Sequence, residues 1–370
     1  MAGRVFLRRL ETTSFRNLED AGVEPDERFN LICGDNGQGK TALLEAIYVV
    51  ATSKSFRAAR PREAVRHDES LFTVRARIAE ESDGLSPIDH EQVATFAKGS
   101  MHLRLDENPP DSLASYARRT PVVVFHPDEL QLSTGPAALR RRLLDRMALH
   151  LSPGALRSAS RYARAIRARH ELLRRPSTPN SEIEAFETIA AEEGAALGRA
   201  RADAADRFAP RLLEAFARIA APDLSLVARY VPGGSLDDAR MRDELFARRS
   251  GDARSKSATF GPHRDELAFE LDGHPVRQVA SQGQHRAIAL SIKAGESATI
   301  AESAGKWPIQ LLDDISSELD EARTQALFRF LEETRGQLFI TGTREGLLTA
   351  ALGGQKHKLF QIVKGAIREA

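Results

Sequence analysis

Gly34-Asp35-Asn36-Gly37-Gln38-Gly39-Lys40-Thr41 has the spacing G-x-x-x-x-G-K-T of a phosphate-binding loop. The apolar run Phe29 to Cys33 leads into it and reads as a buried strand, and Ala42 to Val50 follows and reads as a helix. Glycines let the backbone curl so that successive N–H groups point at phosphate oxygens. The helix behind the loop adds the positive end of its dipole. Lys40 is placed to reach the β- and γ-phosphates, and the Thr41 hydroxyl to ligate Mg²⁺.

A second half of this site lies far downstream. Ile309-Gln310-Leu311-Leu312-Asp313-Asp314 is mostly apolar and ends in two acids. It reads as a buried parallel strand delivering carboxylates at its C-terminal edge, where ligands of α/β proteins bind. Asp313 is expected to hold Mg²⁺ together with Thr41, and Asp314 to orient the attacking water as a general base. Asp313 lies roughly 270 residues after Lys40, so something large is inserted between two halves of one site. Ser281-Gln282-Gly283-Gln284 opens a helix that runs from His285 to Ala301, and offers a hydroxyl, free N–H groups and a positive dipole end. Ser316-Ser317-Glu318-Leu319-Asp320 directly follows the acidic strand.

The insertion is visible in composition. The first 130 residues read as mixed β and α, with strands at Val5–Leu10, Phe29–Cys33, Leu71–Ile78, Val93–Phe96 and Val122–Phe125. Alternation over 71–106 points to an antiparallel sheet beside the nucleotide core. Between Leu139 and Arg175 stand eleven arginines, opposed there only by Asp145 and Glu171. This stretch is helical in pattern, with a break at Ser152-Pro153-Gly154. After the turn Pro176–Asn180, Ser181 with Glu184 has the capping-box spacing for a second long helix. Ile183, Phe186, Ala190, Leu197, Ala204, Phe208, Leu212 and Phe216 share one face of it. The pair reads as an antiparallel helical hairpin, and 233–258 as a polar connection. Domain boundaries are therefore set at 1–134 for the N-terminal half of the head, 135–222 for the inserted helical lobe, and 223–370 for the C-terminal half.

Bulk properties bound the function. A chain of 370 residues is 42% hydrophobic and 28% charged, as expected of a globular protein with two or three cores. No apolar run approaches the roughly 20 residues of a membrane helix. With a single cysteine, Cys33, there is neither an intrachain disulfide nor a multi-cysteine zinc site. These points favour the cytoplasm and no membrane partner. A net charge of +1 means that any nucleic-acid affinity comes from local patches.

Phosphate loop, Ser-x-Gly-Gln, acidic strand and Ser-Glu-Leu-Asp occur in the order seen in ABC-type ATPase heads. More specifically the chain resembles the RecF family of bacterial recombinational repair proteins. The resemblance spans nearly the whole chain. It rests on Phe15-Arg16-Asn17-Leu18, Lys54-Ser55-Phe56-Arg57 and Phe125-His126-Pro127-Asp128-Glu129-Leu130, then on Gly135-Pro136 with Arg140-Arg141-Arg142 and Leu144-Asp145. Gly261-Pro262-His263-Arg264-Asp265, Leu311-Leu312-Asp313-Asp314 and Ser317-Glu318-Leu319-Asp320 complete it. The resemblance implies an α/β fold: an ABC-type P-loop ATPase head, with a mixed sheet, helices and an antiparallel β subdomain, and an inserted helical lobe containing a short antiparallel coiled coil. It implies an ATP-dependent homodimer on DNA, in which Ser281 of one subunit meets the γ-phosphate held by the other. It further implies binding of double-stranded DNA near single-strand/double-strand junctions, work with RecR and RecO, and help in loading RecA.

The candidate catalytic residues are Asp314, Lys40 and Ser281. The nucleotide-contacting set is Gly34, Asp35, Asn36, Gly37, Gln38, Gly39, Lys40, Thr41, Ser281, Gly283, Gln284 and Asp320, with Thr41 and Asp313 on the metal. Arg57, Arg140, Arg141 and Arg142 are candidate DNA contacts, expected to be indifferent to base sequence because no aromatics interleave with them. An energy-coupling ATPase of a membrane transporter shares this chemistry, but such heads usually carry Glu where Asp314 stands and a His after the next strand. Here Leu338-Phe339-Ile340-Thr341 runs into Gly342-Thr343-Arg344, leaving Thr341 or Thr343 for that place. For a glutamine-loop residue, Phe125-His126-Pro127 is the nearest stretch. A P-loop metabolic kinase makes the later motifs accidents. Asp314, one methylene shorter than Glu, points to slow hydrolysis, on the order of minutes or slower against the ~10 s⁻¹ of a median enzyme.

Overall fold

The structure, a computed structural model, describes residues 2–175, 178–219, 224–255, 257–314 and 321–370. The chain divides into two compact units: Met1–Leu130 with Ala215–Pro222 and Gln282–Ala370, and Gln131–Glu214 with Asp223–Ser281.

The first unit is layered around a six-stranded sheet. Its strands run in the order Ala366–Glu369, Lys358–Val363, Phe29–Cys33, Leu338–Gly342, Ile309–Leu312 and Val122–Phe125. All neighbours are parallel except the last hairpin, 358–363 with 366–369. Phe29–Cys33, Leu338–Gly342, Ile309–Leu312 and Val122–Phe125 are buried at every residue, as strands covered on both faces must be. Alternate side chains serve different cores. Ile32, Leu311 and Phe339 face the loop helix Lys40–Thr52 and a second sheet, whereas Leu31, Cys33, Leu312, Leu338 and Ile340 pack with Leu290, Leu327, Phe328 and Leu331 of the C-terminal helices. The second sheet is antiparallel over Gly3–Thr13, Phe72–Glu81, Ile88–Ala97 and Ser100–Leu105. A register shift between Leu7 and Arg9 marks a bulge. Buried Gln337 fills it, accepting from the Leu7 N–H at 2.7 Å and donating to the Leu7 carbonyl at 3.0 Å.

The second unit holds helices Ala137–Leu151, Ala155–Leu173 and most of Asn180–Ile219. Glu266–Leu271 pairs antiparallel with Leu226–Val231. That pairing, together with Arg140 on Glu266, puts 223–281 with the helices. The boundaries drawn from sequence gave this stretch to the head, because strand signals do not reveal their partners. Residues 233–258, read as a connection, contain helices Asp238–Ala247 and Arg249–Ser255. Asp237 caps the first by accepting from the Arg240 N–H at 2.9 Å. The long helix begins at Asn180, so Ser181 lies inside its first turn, and Glu184 faces Arg249 at 3.6 Å instead of closing a capping box.

Candidate nucleotide-binding site

The phosphate loop is shaped by close backbone approaches. Gly34 leaves the buried strand so near the Ile362 carbonyl that a Cβ would sit 2.4 Å from that oxygen. Gly39 enters the helix at φ 120°, where other residues are strained. No side chain caps the helix at Gly39, so its first N–H groups are open to an anionic ligand. The loop is braced from the C-terminal hairpin. Gln38 accepts from the Lys364 N–H through Oε1 at 2.5 Å, and from the Gly365 N–H through its carbonyl at 2.9 Å. Asn17 donates to the Gly37 carbonyl at 3.0 Å.

Lys40 is 7% exposed, and its Nζ donates to the carbonyls of Gly34 and Asp35 at 2.6 and 3.0 Å. The Thr41 hydroxyl donates to Asp313 Oδ1 at 3.0 Å, and Thr341, fully buried on the neighbouring strand, donates to the same oxygen at 2.8 Å. Thr341 Oγ1 also accepts from the Asp314 N–H at 2.9 Å. The Asp313 N–H is held by the Phe125 carbonyl at 2.8 Å. Asp314 adopts φ 49°, a left-handed conformation uncommon outside glycine, at the point where the chain leaves the strand. Two residues separated by most of the sequence thus meet as hydroxyl and carboxylate. Hard oxygen donors of this kind suit Mg²⁺, which keeps several waters and shares its shell with phosphates. Among the described residues there is no group of three or more His, Cys, Asp or Glu that could hold a metal ion.

A cleft of about 660 Å³ opens above the loop. Asn36, Gly37, Gly39, Lys40, Thr41, Asp313 and Asp314 line it. Its far side is built from residues to which the sequence reading gave no role: Arg16, Asn17, Val65, Arg66 and His67. Arg57, expected on DNA, stands in this wall as well. Behind the wall is Glu45, fully buried on the loop helix. Arg16 donates to its two carboxylate oxygens at 2.9 and 2.7 Å, Ser55 to one of them at 2.5 Å, and Arg57 approaches within 3.6 Å. An acid among Leu43, Leu44, Ala46 and Ile47 was the available signal, since a charge on an apolar face needs a partner.

Other candidates fall elsewhere. Asp35 and Gln38 contribute their backbone and bracing to the loop but are not among the cleft-lining residues, nor are Ser281, Gly283 and Gln284. Ser281 is exposed at the start of helix Gln282–Ala304. Asp320 and the rest of 315–320 lie outside the described residues. Arg140 is corrected as a DNA contact: it is 4% exposed and grips Glu266 with two hydrogen bonds at 2.6 and 2.8 Å. Arg141 is half-buried and donates to the Asp265 carbonyl at 2.8 Å, which leaves Arg142 as the exposed member of the triplet. His126 stacks on Phe56 with centroids 5.3 Å apart, and its Nε2 lies 3.5 Å from Glu129. Burial pushes its pKa down. His263 meets the Tyr162 hydroxyl at 2.6 Å within the second unit.

Comparison with known proteins agrees with this geometry. A family model described as the RecF/RecN/SMC N terminal domain matches residues 6–367. A DNA replication and repair protein RecF of Anaeromyxobacter sp. (strain Fw109-5) is 38% identical over 355 residues, covering 93% of this chain and 94% of its own. A protein of the same description from Geobacter metallireducens is 33% identical over 370 residues, covering 98% and 99%. Among solved structures, a recombination mediator protein RecF with ATP, in the RecFOR pathway, superposes with a TM-score of 0.89 at 25% identity, covering 100% of this chain and 99% of that one. An SMC head bound to the C-terminal winged-helix domain of ScpA shares the fold, at a TM-score of 0.56 and 14% identity over 99% of this chain and 97% of that one. Loop, acidic strand, inserted lobe and near full-length identity together make this chain a member of the RecF family.

Proposed function

We propose that this chain is an ATP-gated DNA-binding protein of recombinational repair, a clamp that closes by dimerising on ATP and resets by slow hydrolysis. The observation that carries the reading is the pair of hydroxyls, Thr41 and Thr341, converging on the Asp313 carboxylate at the mouth of a glycine-shaped phosphate loop. Relatives named for DNA replication and repair, and a solved relative described with ATP, support it.

The residues divide the work. Lys40 trades its bonds to the Gly34 and Asp35 carbonyls for the β- and γ-phosphates. Thr41 and Asp313 hold Mg²⁺, which neutralises charge on those phosphates when bound. Asp314 orients the attacking water and takes its proton at a carboxylate oxygen. Its strand-end placement fixes the carboxylate, and the short Asp side chain keeps turnover slow. Ser281, Gly283 and Gln284 complete the γ-phosphate shell from a second copy, so ATP occupancy and pairing of two molecules are one event. The DNA is double-stranded and near a single-strand junction; RecR binds the clamp, with RecO acting through it, and the outcome is RecA loading.

Linkage requires ATP and DNA to strengthen each other's binding by the same factor. Sedimentation of the wild type and of Lys40→Met, each with and without ATP and DNA, tests the reading. We expect ATP-dependent dimers on DNA for the wild type and monomers for the variant. A wild type that stays monomeric with ATP, Mg²⁺ and duplex all present refutes it.

A further inference from the structure

Helix Ala155–Leu173 of the second unit has two chemically distinct faces. Ala155, Ser158, Tyr162, Ala165, Arg169 and Leu172 are buried, at the spacing of one helical stripe. Arg157, Arg161, Arg164 and Arg167 are exposed on the opposite side, and Arg174 and Arg175 continue the row past the helix end. From Arg157 to Arg174 the row extends about 25 Å at the helical rise.

Among the described residues, the acids of the partner helix reach only Arg161 in this row. Glu187 is buried and receives Arg169 and Arg249, and Glu184 faces Arg249. Glu193 takes Arg161 at 2.9 Å. Among the described residues no carboxylate pairs with Arg157, Arg164 or Arg167. Among the described residues Arg164 bonds only its own helix, at Ser160. The row therefore keeps most of its charge, with Glu171 the one acid within it.

We infer that this outer face of Ala155–Leu173 is a docking surface for the sugar-phosphate backbone of duplex DNA, an inference that rests on the DNA-binding reading above. The complementarity is one of charge and repeat. Duplex DNA carries one negative charge per about 1.7 Å of axis, and a guanidinium on nearly every helical turn meets such a line wherever it falls. No aromatic lies among the row's exposed residues to stack an unpaired base, which favours duplex over single strand. Phosphate contacts of this kind position the protein without reading sequence.

The test uses the full chain with Arg157→Gln, Arg164→Gln and Arg167→Gln combined. Binding to a duplex of about 30 base pairs is measured with ATP over roughly 50–200 mM salt. The log–log salt slope should become shallower by about 2 to 3, with affinity lowered alike for unrelated sequences. The melting temperature and ATP affinity should stay at wild-type values, because these side chains are exposed and none lines the cleft. A wild type that binds duplex while the variant matches its slope and affinity overturns this surface and leaves the DNA-binding reading standing. A wild type that ignores duplex in every nucleotide state overturns both. Arginine-dependent capture of polyglutamate in place of duplex assigns the face to an acidic protein and also overturns the proposal.

Discussion

Glu45 shows how one side chain organises a binding wall. Its carboxylate sits on the phosphate-loop helix and holds Arg16 by two hydrogen bonds, with Arg57 3.6 Å away. Removing a buried partner leaves uncompensated charge, at a cost of about 3–5 kcal/mol. We expect Glu45→Gln to lower the melting temperature and weaken ATP binding about tenfold. Arg16→Gln should do much the same, and the double variant should lose less than the sum, since both act on one contact. Additive losses in a double-mutant cycle by calorimetry would contradict the pairing. At Thr341 the expected change is smaller in stability and larger in function. Thr341→Val keeps the shape but removes a bond to Asp313 and the acceptor for the Asp314 N–H, costing about 1–3 kcal/mol. If Asp314 serves the attacking water as proposed, hydrolysis should fall further than ATP affinity, because Thr341 holds the Asp314 N–H. Single-turnover rates alongside equilibrium titration separate the two. Lys40, Thr41 and Asp313 were legible because each chemistry needs that residue type at that place. Glu45 was not, because which side of a helix finds two arginines is decided by the tertiary fold.

At the level of elements, the strand Ile88–Ala97 carries polar side chains inward at His90 and Gln92. Gln92 donates to the Tyr116 carbonyl at 3.1 Å and accepts from Thr120 at 2.5 Å, while His90 Nε2 lies 3.3 Å from that Thr120 hydroxyl. Burial lowers the His90 pKa to about 4. An unfolded histidine titrates near 6.5, so between about pH 6.5 and 4 the unfolded chain binds the extra proton. Stability is complete above that window and falls as pH drops through it, by up to about 3 kcal/mol from this residue. Denaturant titration across pH should show this slope, and His90→Gln should flatten it. Helix Ala155–Leu173 offers a second case. Arg169 looked like one arginine in a basic run, yet it is fully buried between Glu187 and Asp252, at 2.9 and 2.7 Å. Arg169→Ala should destabilise the second unit by about 3–5 kcal/mol, read as a lowered urea midpoint. The sequence does distinguish it from its neighbours, for it shares the spacing of Tyr162 and Ala165. By contrast Asp238–Ala247 was missed because its apolar stripe is only Met241 and Leu245.

Across the whole molecule, one unit is interrupted in sequence by the other, and each has its own buried residues. The phosphate loop and acidic strand both lie in the first unit. ATP should therefore raise the stability of that unit, by about 2.7 kcal/mol at a hundred times the dissociation constant. Scanning calorimetry of the full chain should separate two transitions, with ATP and Mg²⁺ moving one of them and Lys40→Met abolishing the shift. Equal displacement of both transitions would mean that the units melt as one. The strand that delivers the phosphate loop, Phe29–Cys33, lies between Leu338–Gly342 and Lys358–Val363, and the loop's Gln38 leans on residues 364 and 365. During synthesis the ribosome releases the loop roughly 300 residues before the two strands that flank its own. A nascent chain thus carries the signature of a nucleotide binder long before it can bind one, and competence arrives only once the hairpin of 358–369 clears the exit tunnel.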